Sequence, residues 1–216
     1  MEWYKLISLG TLAICLGSCI FHFIRLIQLG KPIDYSVQAG DTTKAVIYSL
    51  TGAMSPAKKE SAYLHLPTYT AGILYHLGTF LAILLFFTII AGASYSGILK
   101  LIIVLFLSVT TISGLIILIK RLVSPALKSL SNPDDYISNA LVTLFQAFTV
   151  LVLTYPSFEW AYYVAVSLLL LYLPLGKLKH AIYFFAARYH LGYFLGYRGT
   201  WPPVKQNTRF SYDQRE

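Results

Sequence analysis

Residues 66–87 read Leu-Pro-Thr-Tyr-Thr-Ala-Gly-Ile-Leu-Tyr-His-Leu-Gly-Thr-Phe-Leu-Ala-Ile-Leu-Leu-Phe-Phe, and they include no Asp, Glu, Lys or Arg. About 20 apolar residues in a helix span the hydrocarbon core of a bilayer, so this stretch predicts a transmembrane helix. His76 lies in its middle. Because polar side chains at membrane depth need partners and often belong to functional sites, His76 is the first candidate functional residue.

Apolar blocks of similar length recur along the chain. Hydrophobic residues make up 56% of the 216 residues and charged residues 12%, and the mean hydropathy is +0.63. The blocks predict an all-α integral membrane bundle of five transmembrane helices in residues 1–195, followed by a polar cytoplasmic tail in residues 196–216. The first block is interpreted as a retained helix and not as a signal peptide. The five blocks are Trp3–Ile27, Pro67–Ala93, Ile98–Ile119, Ile137–Tyr155 and Phe158–Leu175.

The basic residues predict the orientation of the bundle. The net charge is +8 and the pI is about 9.4. Apart from Lys5 and Lys100, the Lys and Arg residues lie around the first and third connections or after the last apolar block. Basic connections stay in the cytoplasm, so we expect the N-terminus outside, the C-terminus inside, and a multi-pass protein of the cell (cytoplasmic) membrane. This topology accounts for the charge without a nucleic-acid partner.

Three local patterns predict particular structures. Thr42–Met54 is expected to form a short surface helix that lies on the membrane or docks a soluble partner. Ser131-Asn-Pro-Asp-Asp135 is a turn-and-cap cluster that starts the fourth helix. Gln146 places an amide at membrane depth, which a hydrogen bond to a neighbouring helix would satisfy.

Two of the five histidines form the main candidate pair. Helical bundles build cofactor sites from side chains on facing helices, and two imidazoles that hold one iron must reach the same depth. His76 and His180 meet that condition if the last helix continues inward despite Pro174 and Gly176. A structural role remains the alternative for each residue.

The other histidines are weaker candidates. His65 and His190 form a second facing pair if both helices extend further inward, although Pro67 interrupts the helix that would carry His65. For His22, one turn before Arg25, a structural role is favoured, with support of a haem propionate or a quinone headgroup as the alternative.

Three patterns together resemble the gamma subunit of respiratory nitrate reductase and the related membrane cytochrome b subunits of heterodisulfide-reductase-type complexes. They are Leu74-Tyr-His-Leu-Gly-Thr-Phe80, Ser131-Asn-Pro-Asp-Asp-Tyr136 and Leu173-Pro-Leu-Gly-Lys-Leu-Lys-His180, and they cover about residues 65–190. The resemblance implies haem b with His76 and His180 as axial iron ligands. The long segment between the first two helices is similar to the heterodisulfide-reductase-associated branch.

The chain departs from the nitrate reductase pattern at the second haem. The positions that correspond to its ligands are Phe86 and Tyr162, and neither residue ligates haem b. We therefore expect one haem, or a second one held by His65 and His190, with His22 as a further candidate.

The resemblance implies electron transfer between a membrane quinone, such as menaquinone, and a cytoplasmic iron–sulfur subunit. With only two cysteines, the chain cannot hold the clusters itself. It would serve a quinone-linked oxidoreductase complex without carrying the terminal catalytic site. Because outer haem ligands are missing, the quinone site is expected toward the cytoplasmic side. Candidates for propionate or quinone contacts are His22, Arg25, Arg121, Lys177, Lys179 and Arg188.

Two other functions are considered. A haem-free membrane anchor that recruits a soluble redox complex would need no ligand histidines. A small transporter is poorly supported, because no acidic residue lies deep inside a predicted helix.

Overall fold

The computed structural model describes residues 2–30, 34–55 and 66–203, and these residues form helices and connecting turns. Short 3-10 turns occur at Gly52–Met54, Pro156–Phe158 and Lys177–Lys179. The α-helices in chain order are α1 (Trp3–Leu29), α2 (Thr42–Leu50), α3 (Leu66–Ile90), α4 (Gly97–Val123), α5 (Pro125–Ser129), α6 (Pro133–Thr154), α7 (Glu159–Tyr172) and α8 (His180–Tyr197).

Four helices, α1, α3, α4 and α6, are long and apolar enough to cross a membrane. A fifth candidate span is broken. The segments Pro156–Tyr172 and Lys177–Tyr197 are together long and apolar enough to cross a membrane, but their axes are bent by 72°. Within the described residues the all-α prediction is therefore confirmed, with four candidate membrane spans, or five if the bent pair counts as one.

The chain divides into two compact units. The first contains residues 1–24 and 59–182, and the second contains residues 25–58 and 183–216. The polar tail expected from residue 196 begins inside α8, and as far as residue 203 it belongs to the second unit. Trp201 packs there against Tyr48, with ring centroids 5.3 Å apart.

A buried amide joins three helices of the first unit. Gln146 of α6 is fully buried, and its Nε2 donates to Thr79 Oγ1 (2.8 Å) and to the carbonyl of Tyr75 (3.1 Å), both on α3. Its Oε1 accepts from Thr110 Oγ1 of α4 (2.8 Å). The predicted hydrogen bond between helices is confirmed, and its partners are identified.

Gly78 allows α3 to approach α4 and α6 closely. A Cβ atom at this position would overlap Thr110 Oγ1 and Cβ and would lie 2.9 Å from Gln146 Oε1. Small residues at helix contacts let membrane helices pack at short range, where their polar groups can bond. The Gln146 network therefore depends on the absence of a side chain at Gly78.

Charged side chains connect several segments at one end of the first unit. We call this the basic end and define it by Lys120, Arg121 and Lys177. Lys120 Nζ donates to Thr68 Oγ1 at the start of α3 (2.8 Å). Arg121 Nη1 and Lys177 Nζ lie 2.9 and 2.7 Å from Asp135 Oδ1 in the first turn of α6. The end of α4, the starts of α3 and α6, and the segment after α7 therefore meet here.

At the opposite end the first unit is filled with aromatic rings. Phe86, Phe145, Tyr162 and Tyr163 are all buried, with at most 3% exposure. Ring centroids are 6.3 Å apart for Phe145 and Tyr162, and 6.4 Å apart for Phe86 and Tyr163. Tyr4 OH donates to Glu159 Oε2 at the same end (2.8 Å), which brings the start of α1 to the start of α7.

The second unit packs α2 against α8. Ser49 Oγ donates to the carbonyl of Arg188 (2.8 Å), and Arg188 Nε donates back to the carbonyl of Ser49 (2.9 Å). A Cβ at Gly192 would lie 2.6 Å from Val46 Cα, so glycine permits this close contact. The short helix predicted in Thr42–Met54 is therefore confirmed as α2 and the following 3-10 turn.

Two aspartates stabilise the entry into α2. Asp41 caps the helix by accepting from the backbone N–H of Lys44 (3.0 Å), and this bond lowers its pKa. Hydrogen bonds from the Ser36 hydroxyl and N–H, with Arg198 nearby, lower the pKa of Asp34. Both carboxylates are therefore held in the charged form that their partners require.

Candidate functional site

His76 faces away from the packed core of the first unit. Its neighbours Tyr75, Gly78 and Thr79 contact α4 or α6. Tyr75 OH, for example, donates to the carbonyl of Asn139 in α6 (3.0 Å). His76 itself is exposed, although it lies well inside a membrane-spanning helix. The residues around His76 thus fix the rotation of α3 and direct the imidazole outward.

The imidazole of His76 has a defined tautomer. Its Nδ1 lies 2.7 Å from the carbonyl oxygen of Gly72. Because a carbonyl oxygen only accepts, Nδ1 is the protonated donor of this bond, and in the neutral ring Nε2 carries the lone pair. Gly72 is one turn nearer the basic end, so the ring lies roughly 9 Å from the start of α3 along the helix axis.

His180 has the same arrangement at the start of α8. Its Nδ1 lies 2.7 Å from the carbonyl oxygen of Lys177, within the 3-10 turn. The residue is exposed, and in its neutral ring Nε2 likewise carries the lone pair. Since Lys177 belongs to the basic end, both rings lie in the half of the first unit nearest that end.

The break before His180 corrects one expectation. The pairing of His180 with His76 at one depth is expected only if the last helix continues inward past Pro174 and Gly176. Instead α7 ends at Tyr172, and the chain turns by 72° before the next helix. Proline lacks the N–H that an uninterrupted helix needs, which accounts for the break. His180 is therefore positioned by the break and its bonds, and not by a straight helix.

Asp134 and Asp135 hold this break against the start of α6. Asp134 Oδ1 accepts from the Tyr172 hydroxyl, and its Oδ2 accepts from the backbone N–H of Lys177 (2.7 Å). Asp135 forms the predicted cap, a reciprocal capping box with Asn132. The second and third of the resembling patterns are thus in direct contact.

Both histidines have the geometry that metal-bound histidines commonly use. Such histidines donate one ring N–H to a carbonyl or carboxylate, which orients the ring and leaves the other nitrogen for the metal. Within the described residues, Nδ1 of each ring is bonded to a main-chain carbonyl and Nε2 is left unbonded. His76 and His180 therefore fit the role of imidazole ligands.

The remaining histidines differ. His190 Nε2 lies 3.1 Å from the carbonyl oxygen of Leu26, so the nitrogen that most often binds metals is already bonded. His22 is half-buried, with its ring 5.9 Å from that of Phe21. His65 lies outside the described residues. A second pair formed by His65 and His190 remains a prediction.

Arg121, Lys177 and Arg188, which are among the predicted propionate or quinone contacts, have partners within the chain. Arg121 and Lys177 are paired with Asp135, and Arg188 is bonded to the Ser49 carbonyl in the second unit. Arg25 is exposed and belongs to the second unit, whereas Lys179 is half-buried and belongs to the first. The roles proposed for all five cations remain predictions.

Sequence reasoning did not identify Asp134, Tyr172 or Tyr75 as parts of this site. Asp134 lies in the second of the three patterns, and Tyr172 directly precedes the third. Tyr75 lies beside His76 in the first. The available signal was this position, inside the patterns for Asp134 and Tyr75 and next to one for Tyr172. No family model, curated protein or solved structure matches this chain.

Proposed function

We propose that the chain is a b-type cytochrome subunit that passes electrons between a membrane quinone and a cytoplasmic iron–sulfur subunit of the heterodisulfide-reductase type. The observation that carries this proposal is the matched state of His76 and His180. Each donates from Nδ1 to a nearby main-chain carbonyl and presents outside the packed core an Nε2 that bonds to none of the described residues. Haem b held by two imidazoles takes up and releases one electron without an open iron position.

The residues around the two histidines would hold the imidazoles in the orientation that binds iron. The carbonyls of Gly72 and Lys177 fix the tautomers, and the Gln146 and Asp134 networks hold α3 and the Lys177 turn in place. Preset ligand orientation limits movement when the charge of the iron changes.

The aromatic side chains at the end opposite the basic end favour a single haem, held in the half nearest the basic end. Phe86 and Tyr162, which correspond to the ligands of the outer haem in the resembling family, are both buried. Neither position carries a ligand side chain, and neither ring is exposed. We expect one haem per chain, or a second only through His65 and His190.

The basic end supports an orientation with that end in the cytoplasm of a cell membrane, and hence with the N-terminus outside. Lys120, Arg121 and Lys177 meet there, and the first turn of α1 lies at the opposite end. A docked acidic partner would meet positive potential, which favours association. The alternative, a haem-free anchor, would use the same end for docking.

An absorption spectrum tests the proposal. The purified chain, expressed with haem supplied, is expected to give a reduced-minus-oxidised spectrum of b type and one haem per chain in a pyridine haemochrome assay. A colourless protein under these conditions would overturn the cytochrome proposal in favour of the anchor.

We also expect quinol oxidation to move little charge across the membrane, because both proposed ligands lie in the half nearest the basic end. Proteoliposomes with a potential-sensitive dye and a soluble electron acceptor measure this. A membrane potential that an uncoupler abolishes would contradict a quinone site at the basic end.

A further inference from the structure

We propose that Asp134 is a positioning residue for His180, and that its carboxylate sets the direction of that imidazole by holding the Lys177 turn against α6. This inference rests on the proposed function, in which His180 is an iron ligand. Asp134 does not itself touch the ring. Its effect passes through the backbone of Lys177.

Asp134 accepts hydrogen bonds from both sides of the break. Tyr172 donates its hydroxyl from the last turn of α7, and Lys177 donates its backbone N–H from the turn that follows (2.7 Å). Ser138 Oγ of α6 also donates to the carboxylate (3.0 Å). A single charged group therefore fixes the end of one helix relative to the start of the next segment.

Gly176 leaves the space that this arrangement needs. A Cβ there would overlap the Tyr172 ring and would lie 2.7 Å from Asp134 Oδ1. Its backbone is extended, with φ −94° and ψ −163°, a conformation open to any residue. Glycine is therefore required for space around the carboxylate and not for an unusual backbone angle.

The same turn fixes the ring of His180. The N–H of Lys177 is bonded to Asp134, and the carbonyl of Lys177 is bonded to His180 Nδ1, both at 2.7 Å. Rotation of Lys177 away from α6 would therefore carry the acceptor of the imidazole with it. Asp135 has a different role, since it caps α6 and pairs with Arg121 and Lys177.

Asp134→Asn tests the proposal. An amide offers one acceptor atom where the carboxylate offers two, so the Tyr172 hydroxyl or the Lys177 N–H loses its acceptor. Loss of the direct hydrogen-bond partner of a metal-bound histidine typically weakens metal-site affinity about 10- to 100-fold, and Asp134 acts one contact further out, through Lys177, so the lower end of that range applies. We expect haem to transfer to a soluble acceptor protein about tenfold faster than from the wild type. The low-spin g-values in the electron paramagnetic resonance spectrum should also change.

Asp41→Asn is the matched control. Asp41 also accepts a backbone N–H, from Lys44 (3.0 Å), at the start of a helix, but it belongs to the second unit. This variant should keep the wild-type transfer rate and g-values. Amide hydrogen exchange of the haem-free protein gives an independent reading, with faster exchange at Lys177 expected only in Asp134→Asn.

The outcomes separate the two proposals. Wild-type haem behaviour in Asp134→Asn overturns the positioning role and leaves the cytochrome proposal intact. A wild-type protein without haem overturns both. If Asp134→Asn does not accumulate, Gly176→Ala places a methyl group 2.7 Å from Asp134 Oδ1 and displaces the carboxylate that holds Lys177. Unchanged haem transfer and g-values in that variant would equally overturn the positioning role.

Discussion

His76→Ala and His180→Ala are each expected to abolish the b-type difference spectrum, because each removes one of the two imidazoles proposed to hold the iron. An alanine leaves the position opposite the remaining ligand open, and haem that stays bound would become high-spin. The measurement is the reduced-minus-oxidised spectrum together with haem per chain. Both variants should still insert as folded membrane proteins, since neither ring bonds to another helix.

His190→Ala and His22→Ala are the controls for this result. His190 is bonded to the Leu26 carbonyl inside the second unit, and His22 is half-buried beside Phe21. Both variants should retain the spectrum of the first haem. Loss of the band in every histidine variant would show a general folding defect, and its retention in His76→Ala or His180→Ala would contradict the assigned ligands.

A ligand exchange sharpens the assignment. Methionine in place of one axial histidine preserves iron ligation but raises the reduction potential. His76→Met and His180→Met should therefore retain haem while shifting the midpoint potential upward in a redox titration. A structural histidine would not give that combination of retained haem and raised potential.

Gly78→Ala is expected to lower the free energy of unfolding by about 1–3 kcal/mol, the usual cost of overpacking a well-packed core. The added methyl group would overlap Thr110, which must move and release its bond to Gln146. Unfolding by sodium dodecyl sulfate in mixed micelles measures this change.

Gly72→Ala provides the comparison on the same helix. A Cβ there would meet nothing within 4 Å, and alanine is the better helix former by up to about 1 kcal/mol. This variant should be as stable as the wild type or more so. Equal destabilisation by the two substitutions would mean that the contact with Thr110 does not decide the result.

The sequence was most informative where the signal was local or depended on composition. Apolar run length predicted the membrane helices, because the bilayer sets their length. The cap of α6 was predictable because Asn132 and Asp135 bond within one turn. Gln146 was predictable as bonded, since an amide in lipid needs partners, but its partners were not. Their identity depends on how α3, α4 and α6 rotate against one another.

The break after α7 illustrates what the sequence left open. Pro174 and Gly176 signalled an interruption, but the direction of the chain beyond it depends on Tyr172 and Lys177 bonding to Asp134. These residues are about 40 positions apart along the chain. Only the packed structure brings the two patterns together, and with them the residue that orients His180.

Gln146 also bears on the order in which the protein is assembled during synthesis. Its partners Tyr75, Thr79 and Thr110 all precede it in the chain. Proteins are synthesised from the N-terminus, so α3 and α4 would enter the membrane before α6 is complete. When α6 inserts, the hydrogen-bond partners of the Gln146 amide are therefore already in the membrane. The amide can bond to them and does not have to stay unbonded in lipid. Chain order thereby spares this helix the main energetic obstacle to its insertion.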